Sequence, residues 1–294
     1  MIKLRTKLAI VVCFLCVVLN INAAIVLAAP ITFNTALPVG RGEIVLRQQL
    51  LSSQSSSESG IDVRRRETNL VSTIAYGVTP KLTVFGNLAL TDRSLNSPLS
   101  RQADPGLADT RVLARYTIFR NDNLGTTFRI APFTGIELAT GSNQETDNLG
   151  SLPASIQTGS GSNDYFIGTV LTYNKINWGI DAQIQYQQNG SDSGFRFGDT
   201  IQVDLSFRKL LAPRSKYFLN GLIEFNFVDT KRNSSNGLKN NDSGGTNLFL
   251  SPGIQYVTQK WIIESALQIP ILDSQNGNAL GTDYSARIGF RRNF

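Results

Sequence analysis

The 294-residue sequence contains no histidine and only two cysteines, Cys13 and Cys16. Without histidine the chain cannot build a Ser-His-Asp triad, a histidine proton shuttle or the usual zinc site. Both cysteines fall in the N-terminal segment, where neither sits in a convincing lipoprotein box, so the processed chain forms no disulfide. We therefore predict that the protein is not an enzyme and that it uses no metal and no cofactor.

The N-terminus has the pattern of a secretory signal peptide over residues 1–28. Three basic residues precede an apolar run that starts at Leu8, and Ala28 ends a small-residue cleavage site. A retained membrane anchor is the alternative. The remaining residues, 29–294, are enough for one large domain, and they contain no run of about 18 apolar residues that would span a membrane as a helix.

The charge balance does not point to nucleic acid. The 28 basic and 22 acidic residues give +6, and removing the three basic residues of the signal leaves +3. A balance so close to neutral does not predict a nucleic-acid partner.

The end of the chain alternates between apolar and polar residues. In the run from Asp283 to Phe294, Tyr284, Ile288 and Phe290 share one parity, and the charged residues share the other except Arg292. A strand with one apolar and one polar face that ends in an aromatic residue is typical of a membrane barrel with lipid outside and water inside. A soluble periplasmic β-sandwich is the alternative with a similar composition.

Similar alternation recurs along the chain and predicts an all-β, transmembrane, antiparallel up-and-down β-barrel of about twelve strands. The predicted strands lie near 42–52, 67–77, 81–91, 109–119, 126–139, 164–174, 176–187, 199–209, 217–228, 246–257, 260–271 and 283–294. Connections after even-numbered strands are short and those after odd-numbered strands are longer and polar. This asymmetry places both termini on the periplasmic side of the outer membrane of a Gram-negative cell.

Aromatic residues support the barrel over the sandwich. Tyr76, Tyr116, Tyr173, Trp178, Tyr256, Trp261 and Phe294 collect beside the short turns or the C-terminus, with the parity of the apolar face. Such a girdle is expected at a membrane–water interface. Pro132, Pro252 and Pro270 fall inside predicted strands, and each removes a backbone donor, so we expect local breaks there.

The polar parity predicts the residues that line the lumen. The charged ones that we expect to line a pore are Arg47, Arg111, Arg115, Arg129, Asp181, Asp204, Glu224, Glu264 and Arg287. Opposed basic and acidic walls would produce a transverse field that orients a charged solute. In the alternative, the charges pair across a small interior and fill it. At the outer end of the second strand, Arg64-Arg65-Arg66 is positioned for lipopolysaccharide phosphates or is a solvated charge run.

Several short motifs resemble the transporter-like outer-membrane family labelled "Putative MetA-pathway of phenol degradation". They are the Leu37–Glu43 run before the first strand, Gly106–Arg111, and Ile136–Ser142 followed by Gly159-Ser160-Gly161 and Asp164. The chain has Ala108 where such relatives usually have a glycine. The resemblance implies an outer-membrane barrel that moves small, aromatic or apolar compounds, and it supplies no catalytic residues.

Together these features predict passage of small molecules through a single-chain barrel in contact with outer-membrane lipid and lipopolysaccharide. The alternative is a structural or interaction barrel with a filled lumen that acts through its long surface loops.

Overall fold

The computed structural model describes residues 28–57, 62–214 and 217–294. The predicted signal peptide, with Cys13 and Cys16, therefore lies outside the described residues except for Ala28. Within them the structure consists of nineteen strands and no helix. The strands are β1 (Ile44–Ser56), β2 (Arg64–Gly77), β3 (Leu82–Asn96), β4 (Arg101–Leu107), β5 (Thr110–Tyr116), β6 (Phe119–Asn123), β7 (Thr126–Leu138), β8 (Thr146–Asp147), β9 (Gly150–Ser151), β10 (Asp164–Lys175), β11 (Trp178–Gln188), β12 (Phe195–Arg196), β13 (Thr200–Pro213), β14 (Tyr217–Thr230), β15 (Ser234–Ser235), β16 (Leu238–Lys239), β17 (Gly245–Thr258), β18 (Trp261–Gln275) and β19 (Gly281–Asn293).

Fourteen of these strands form one closed antiparallel sheet. Twelve run around the ring, and β4 and β6 are short pieces that pair with β3 and β7 at its two ends. The ring closes where β1 pairs with β19, and Ile44 and Phe294 exchange backbone hydrogen bonds of 2.8 and 3.1 Å. The predicted all-β barrel of about twelve strands is confirmed. Closure leaves no open sheet edge, so no edge strand exposes unpaired backbone groups to lipid.

The burial pattern of the strands is inverted relative to a water-soluble barrel. Along β13, Val203, Leu205 and Phe207 are 39–53% exposed, whereas Asp204 and Ser206 between them are 1% exposed. Exposed apolar side chains and buried polar ones on the same strand are the pattern of a transmembrane barrel, in which the outer face meets lipid. Among the described residues no helix has the length and apolar character needed to cross a membrane. The protein is an outer-membrane β-barrel.

Every predicted strand overlaps an observed one, but β1, β3 and β18 extend beyond the predicted bounds, to Ser56, Asn96 and Gln275, and the fourth strand is shorter than predicted. The prediction placed it at 109–119, but β5 ends at Tyr116 and the pairing with β7 breaks between Phe133 and Ile130. Pro132 lies at this break and has no backbone donor to offer the neighbouring strand. The pairing of β17 with β18 is likewise interrupted at Pro252 and shifts register beside Pro270.

The aromatic girdle at the periplasmic rim is continuous over several strands. Tyr217 stacks on Tyr256 at 4.7 Å, and Tyr256 stacks on Trp261 at 5.4 Å. Farther around the ring, Tyr173 meets Trp178 edge to face at 5.5 Å. The last predicted member, Phe294, is buried rather than exposed, and the guanidinium group of Arg292 lies over its ring at 4.8 Å. Arg292, which interrupts the apolar parity, therefore shields the closing aromatic residue.

The inverted burial predicts a depth-dependent cost for charge on the outer face. We expect Leu205→Arg to lower the free energy of unfolding by about 2–4 kcal/mol, because the side chain faces the middle of the bilayer. The matched control is Leu211→Arg near the periplasmic rim, which should cost about 0–1 kcal/mol. Reversible denaturant unfolding in phospholipid vesicles measures both, and equal small costs for the two variants would contradict a lipid-facing position for Leu205.

Candidate functional site: the barrel lumen

The segment before β1 lies inside the barrel. Residues 28–39 enter from the periplasmic rim, where Ala28 packs with Val257 and Ile262 beside the short β17–β18 turn. The segment reaches the middle of the lumen at Ile31, which is fully buried with Leu222 and Ala266. It then returns towards the same rim and turns into β1 at Gly42, whose φ of +79° suits glycine.

The carboxylate of Glu224 holds the innermost part of this segment. Its Oε1 accepts the Ile31 backbone N–H at 2.9 Å, and its Oε2 accepts the Thr32 backbone N–H at 3.0 Å. The Thr32 hydroxyl donates to the same Oε2 at 2.6 Å. Because Glu224 is fully buried, these donors, together with the Ser206 hydroxyl at 3.0 Å, take the place of water around the charge.

Basic and amide side chains bind the carbonyl groups of the segment. The Ile31 carbonyl accepts from Arg47 at 2.7 Å and from Gln49 at 3.2 Å, with Arg287 at 3.4 Å. Farther along the segment, Arg115 donates to the Leu37 carbonyl at 2.6 Å. The unpaired backbone groups of an irregular segment are thus satisfied by wall side chains, as burial requires.

Two threonine hydroxyl groups on other strands of the wall also hold the segment. Thr172 on β10 accepts the Ala36 backbone N–H at 2.8 Å, and Thr83 on β3 accepts the Val39 backbone N–H at 3.1 Å. Since β3 lies opposite β14 in the ring, the segment crosses the lumen between the Glu224 and Thr83 sides of the wall.

An apolar surface covers part of the inner wall around Ala36. Phe85, Phe133, Phe166, Leu113 and Val170 come from β3, β7, β10 and β5, and they form a buried cluster with Ala36. Arg115 lies over the Phe85 ring at 4.8 Å and Arg111 over the Phe166 ring at 4.4 Å. The lumen therefore has an aromatic side with cations above the rings.

Glu264 forms the center of a buried ion-pair cluster. It lies 2.5 Å from Arg47 and 3.3 Å from Arg291, and its side chain is fully buried. Gln255 donates to it at 3.0 Å and to the Ala29 carbonyl at 2.7 Å, which ties the cluster to the segment. These contacts match the alternative in which the interior charges pair with one another.

The nine predicted pore-lining residues all lie on inner-face positions of their strands. Arg47, Arg115, Glu224 and Arg287 contact the segment directly, and Glu264 reaches it through Arg47 and Gln255. Asp181 accepts from Thr172 and also interacts with the Thr35 hydroxyl of the segment. The other three have partners outside the segment: Arg111 pairs with Glu137 at 3.2 Å, Arg129 pairs with Asp122 at 2.9 Å, and Asp204 accepts from Asn226 at 2.8 Å.

Arg129 lies at the periplasmic end of the lumen, beside the β6–β7 turn. Slight burial of the Asp122 carboxyl opposes its ionisation, but the Thr127 hydroxyl and the guanidinium groups of Arg120 and Arg129 outweigh it. The pKa of Asp122 is consequently below its usual range. This end of the wall is a local ion-pair cluster in contact with water.

The sequence prediction missed the aromatic side of the lumen and the segment itself. Phe85, Phe133 and Phe166 share the sequence parity of the polar, inward-facing positions. This parity was the signal that could have identified them as lumen residues. The prediction also missed Thr172, Thr83 and Gln255. The sequence does not distinguish a neutral inward-facing side chain that hydrogen-bonds a backbone group from one that does not.

The outer mouth is partly covered by the 139–163 connection. Arg93 on the inner face of β3 donates to the Gln157 carbonyl at 2.5 Å and pairs with Glu67 at 3.1 Å. Leu152 and Ile156 of this connection are buried, which gives it a small core of its own. The lumen is thus narrowed from outside by this loop and from the periplasmic side by the N-terminal segment.

The buried ion-pair cluster predicts a large effect of neutralising Glu264. We expect Glu264→Gln to cost about 3–5 kcal/mol of unfolding free energy, because two buried arginines lose their counter-charge. Glu137→Gln is the matched control, since its pair with Arg111 is partly open to water and should cost at most about 1 kcal/mol. Denaturant unfolding measures both, and similar costs would contradict the central role of Glu264.

The contacts of Glu224 predict that its loss frees the segment. In a chain with Cys13 and Cys16 replaced by serine, Ala36→Cys reports access to the segment by its rate of maleimide labelling. We expect Glu224→Ala to increase that rate, because two buried backbone donors lose their acceptor. Ser251→Ala, a nearby inner-face change that leaves the segment contacts intact, is the control, and an unchanged rate in Glu224→Ala would contradict the anchoring role.

Comparison with known proteins agrees with this architecture. The structure is similar to the COG4313 outer membrane channel from Pseudomonas putida F1, with a TM-score of 0.67 and 13% identity over 91% of this chain and 100% of that one. It is also similar to the beta domain of the Bordetella autotransporter BrkA, with a TM-score of 0.52 and 11% identity over 86% of this chain and 100% of that domain. No curated protein sequence matches significantly. The family model described as "Putative MetA-pathway of phenol degradation" matches residues 41–269, well over half of the chain, and the chain therefore belongs to that family.

Proposed function

We propose that this barrel lets small apolar or aromatic molecules cross the outer membrane, and that the N-terminal segment must leave its place in the lumen for them to pass. The observation that carries the proposal is the apolar surface of Phe85, Phe133, Phe166, Leu113 and Val170 on the inner wall. The interior of a transmembrane barrel is ordinarily polar, so a cluster of aromatic and aliphatic side chains on the inner parity provides a surface that suits an apolar solute.

The cations above these rings suit an aromatic solute. Arg111 and Arg115 lie over Phe166 and Phe85, so a flat ring that displaced Ala36 would meet aromatic faces together with a guanidinium group. The description of the family, phenol degradation, fits this solute class, and the similar P. putida F1 structure is described as an outer membrane channel.

Movement of the segment is required because it spans the lumen. Its anchors on Glu224 of β14 and Thr83 of β3 lie on opposite sides of the ring, and Ile31 and Ala36 between them are fully buried. The anchors are hydrogen bonds, and water can replace their partners, so each contributes about 0.5–3 kcal/mol. A few such contacts hold the segment without making its release prohibitive.

The alternative function is a structural or interaction barrel that acts through its loops. The filled lumen and the folded 139–163 connection favour it. A catalytic role has less support, because Glu224 and Glu264 are already committed to the segment and to arginines. We therefore expect no turnover chemistry from these carboxylates.

A reversible tether tests the channel proposal. The Thr35 and Thr172 hydroxyl oxygens are 2.9 Å apart, so a Thr35→Cys/Thr172→Cys pair places two sulfurs in reach of a disulfide. The background again has Cys13 and Cys16 replaced by serine. In intact cells expressing the barrel, we expect entry of an apolar aromatic dye to fall, on oxidation, to the rate of cells without the barrel.

Reduction of the disulfide should restore dye entry, and the two single-cysteine variants should respond to neither treatment. Equal entry by the oxidised and reduced forms, both above the background of cells without the barrel, would contradict the requirement for segment movement. Entry at background in every form, with the barrel shown to be folded, would favour the interaction barrel instead.

A further inference from the structure

A basic pocket lies at the outer rim, between the long connections that follow β11 and β14. It has a volume of about 410 Å³, and its walls include Arg196, Asp199, Lys231, Arg232, Ser234 and Lys239. The lumen does not contribute to it, and the passage of solute described above does not use it.

Tight turns give this pocket a fixed shape. β12, β15 and β16 form a small three-stranded sheet that joins the two connections. Ser193-Gly194 and Asn236-Gly237 both have positive φ values, as in two-residue hairpin turns, and the Asn236 N–H donates to the Gly194 carbonyl at 2.7 Å. The basic side chains therefore project from ordered backbone.

The pocket has more positive than negative charge. Asp199 is its single carboxylate, and it pairs with Arg196 at 2.5 Å and more distantly with Lys231 at 3.7 Å. Across the described parts of the chain, no carboxylate lies within ion-pair distance of Arg232 or Lys239. The nearby carboxylate of Asp229 accepts the Thr246 hydroxyl at 2.6 Å instead. Four cations facing one carboxylate leave a net positive site for an anion.

The pocket stands over the lipid-facing side of the wall. The Tyr186 hydroxyl donates to Asp199 at 3.1 Å, and Tyr186 is the outermost member of the exposed apolar row of β11. Asp199, which is itself buried, precedes β13 and has the sequence parity of the exposed residues Ile201 and Val203 on that strand. The cations are thus located at the level where the hydrocarbon of the outer leaflet gives way to its headgroups.

The Arg64-Arg65-Arg66 tract is a poorer anion site. Arg64 pairs with Asp62 at 2.9 Å, and Arg66 donates to Gln54 at 3.1 Å, so part of its charge and donor capacity is already used. The tract lies on a single strand, whereas the pocket brings together cations from two connections. A phosphate with several oxygens is better enclosed by the pocket.

We propose that this pocket binds a phosphate group, and that the phosphate is that of lipopolysaccharide in the outer leaflet. Arg196 and Arg232 supply planar guanidinium donors, and Lys231 and Lys239 supply point charges around the same space. The acyl chains of the same lipid would lie along the exposed apolar row below Tyr186. A soluble phosphate has the same headgroup chemistry but gains nothing from that row.

Native mass spectrometry of the detergent-solubilised barrel tests the proposal. The probes are lipid A with two phosphates, lipid A stripped of phosphate, and inorganic phosphate. The test variant is Arg232→Gln/Lys239→Gln, which removes two charges without breaking an ion pair. The control is Lys209→Gln/Lys260→Gln, which makes the same charge change at the periplasmic rim.

We expect bisphosphorylated lipid A to bind the native chain and the control equally, and the test variant about tenfold more weakly or worse, in line with the loss of charge-assisted contacts. Dephosphorylated lipid A should bind all three chains weakly. Inorganic phosphate that binds as well as lipid A would support a phosphate site but overturn its assignment to the lipid. Equal binding of lipid A to the test and control variants would overturn the site itself.

Discussion

The structure depends on the requirement that every backbone donor and acceptor in hydrocarbon finds a partner within the protein. The pairing of β1 with β19, completed by Ile44 and Phe294, meets this requirement by closing the ring. Closure then fixes the two faces of each strand, because alternate side chains must point to lipid or to the enclosed space. The outer apolar rows and the polar interior both follow from that single condition.

Closure also creates an interior that must be filled or hydrated. With twelve strands the enclosed space is intermediate between a side-chain-filled barrel and an open pore. Here the filling is divided: arginines and carboxylates pair around Glu264, aromatic rings cover the wall around Phe133, and residues 28–39 occupy the middle. The segment has no regular structure, so its backbone groups are bound by side chains such as Glu224 and Thr172. The charged interior therefore serves as a binding site for part of the same chain.

Strand positions were predictable because they depend on local periodicity. For example, β10 was predicted at 164–174 and observed at Asp164–Lys175. A local break at Pro132 was predicted from its missing backbone donor, but the sequence did not show that the neighbouring strand β5 would end at Tyr116 beside it. The segment in the lumen was not predictable either, because its partners are up to 194 residues away in sequence. Alternation indicates that Glu224 faces inward, but it contains no information on which backbone group the carboxylate binds.

The turn at Gly40–Gly42 determines where the N-terminal segment joins the barrel wall. The Gly77 backbone packs against the Gly40 carbonyl so closely that a side chain at Gly77 would collide with it, and Gly42 has a left-handed conformation. The segment is therefore attached by its C-terminal end to the periplasmic rim, and its other end at Ala28 lies by the same rim. Both ends of the described segment thus lie at one rim, and Ile31 and Thr32 form the closed tip of a loop that enters the lumen from that side.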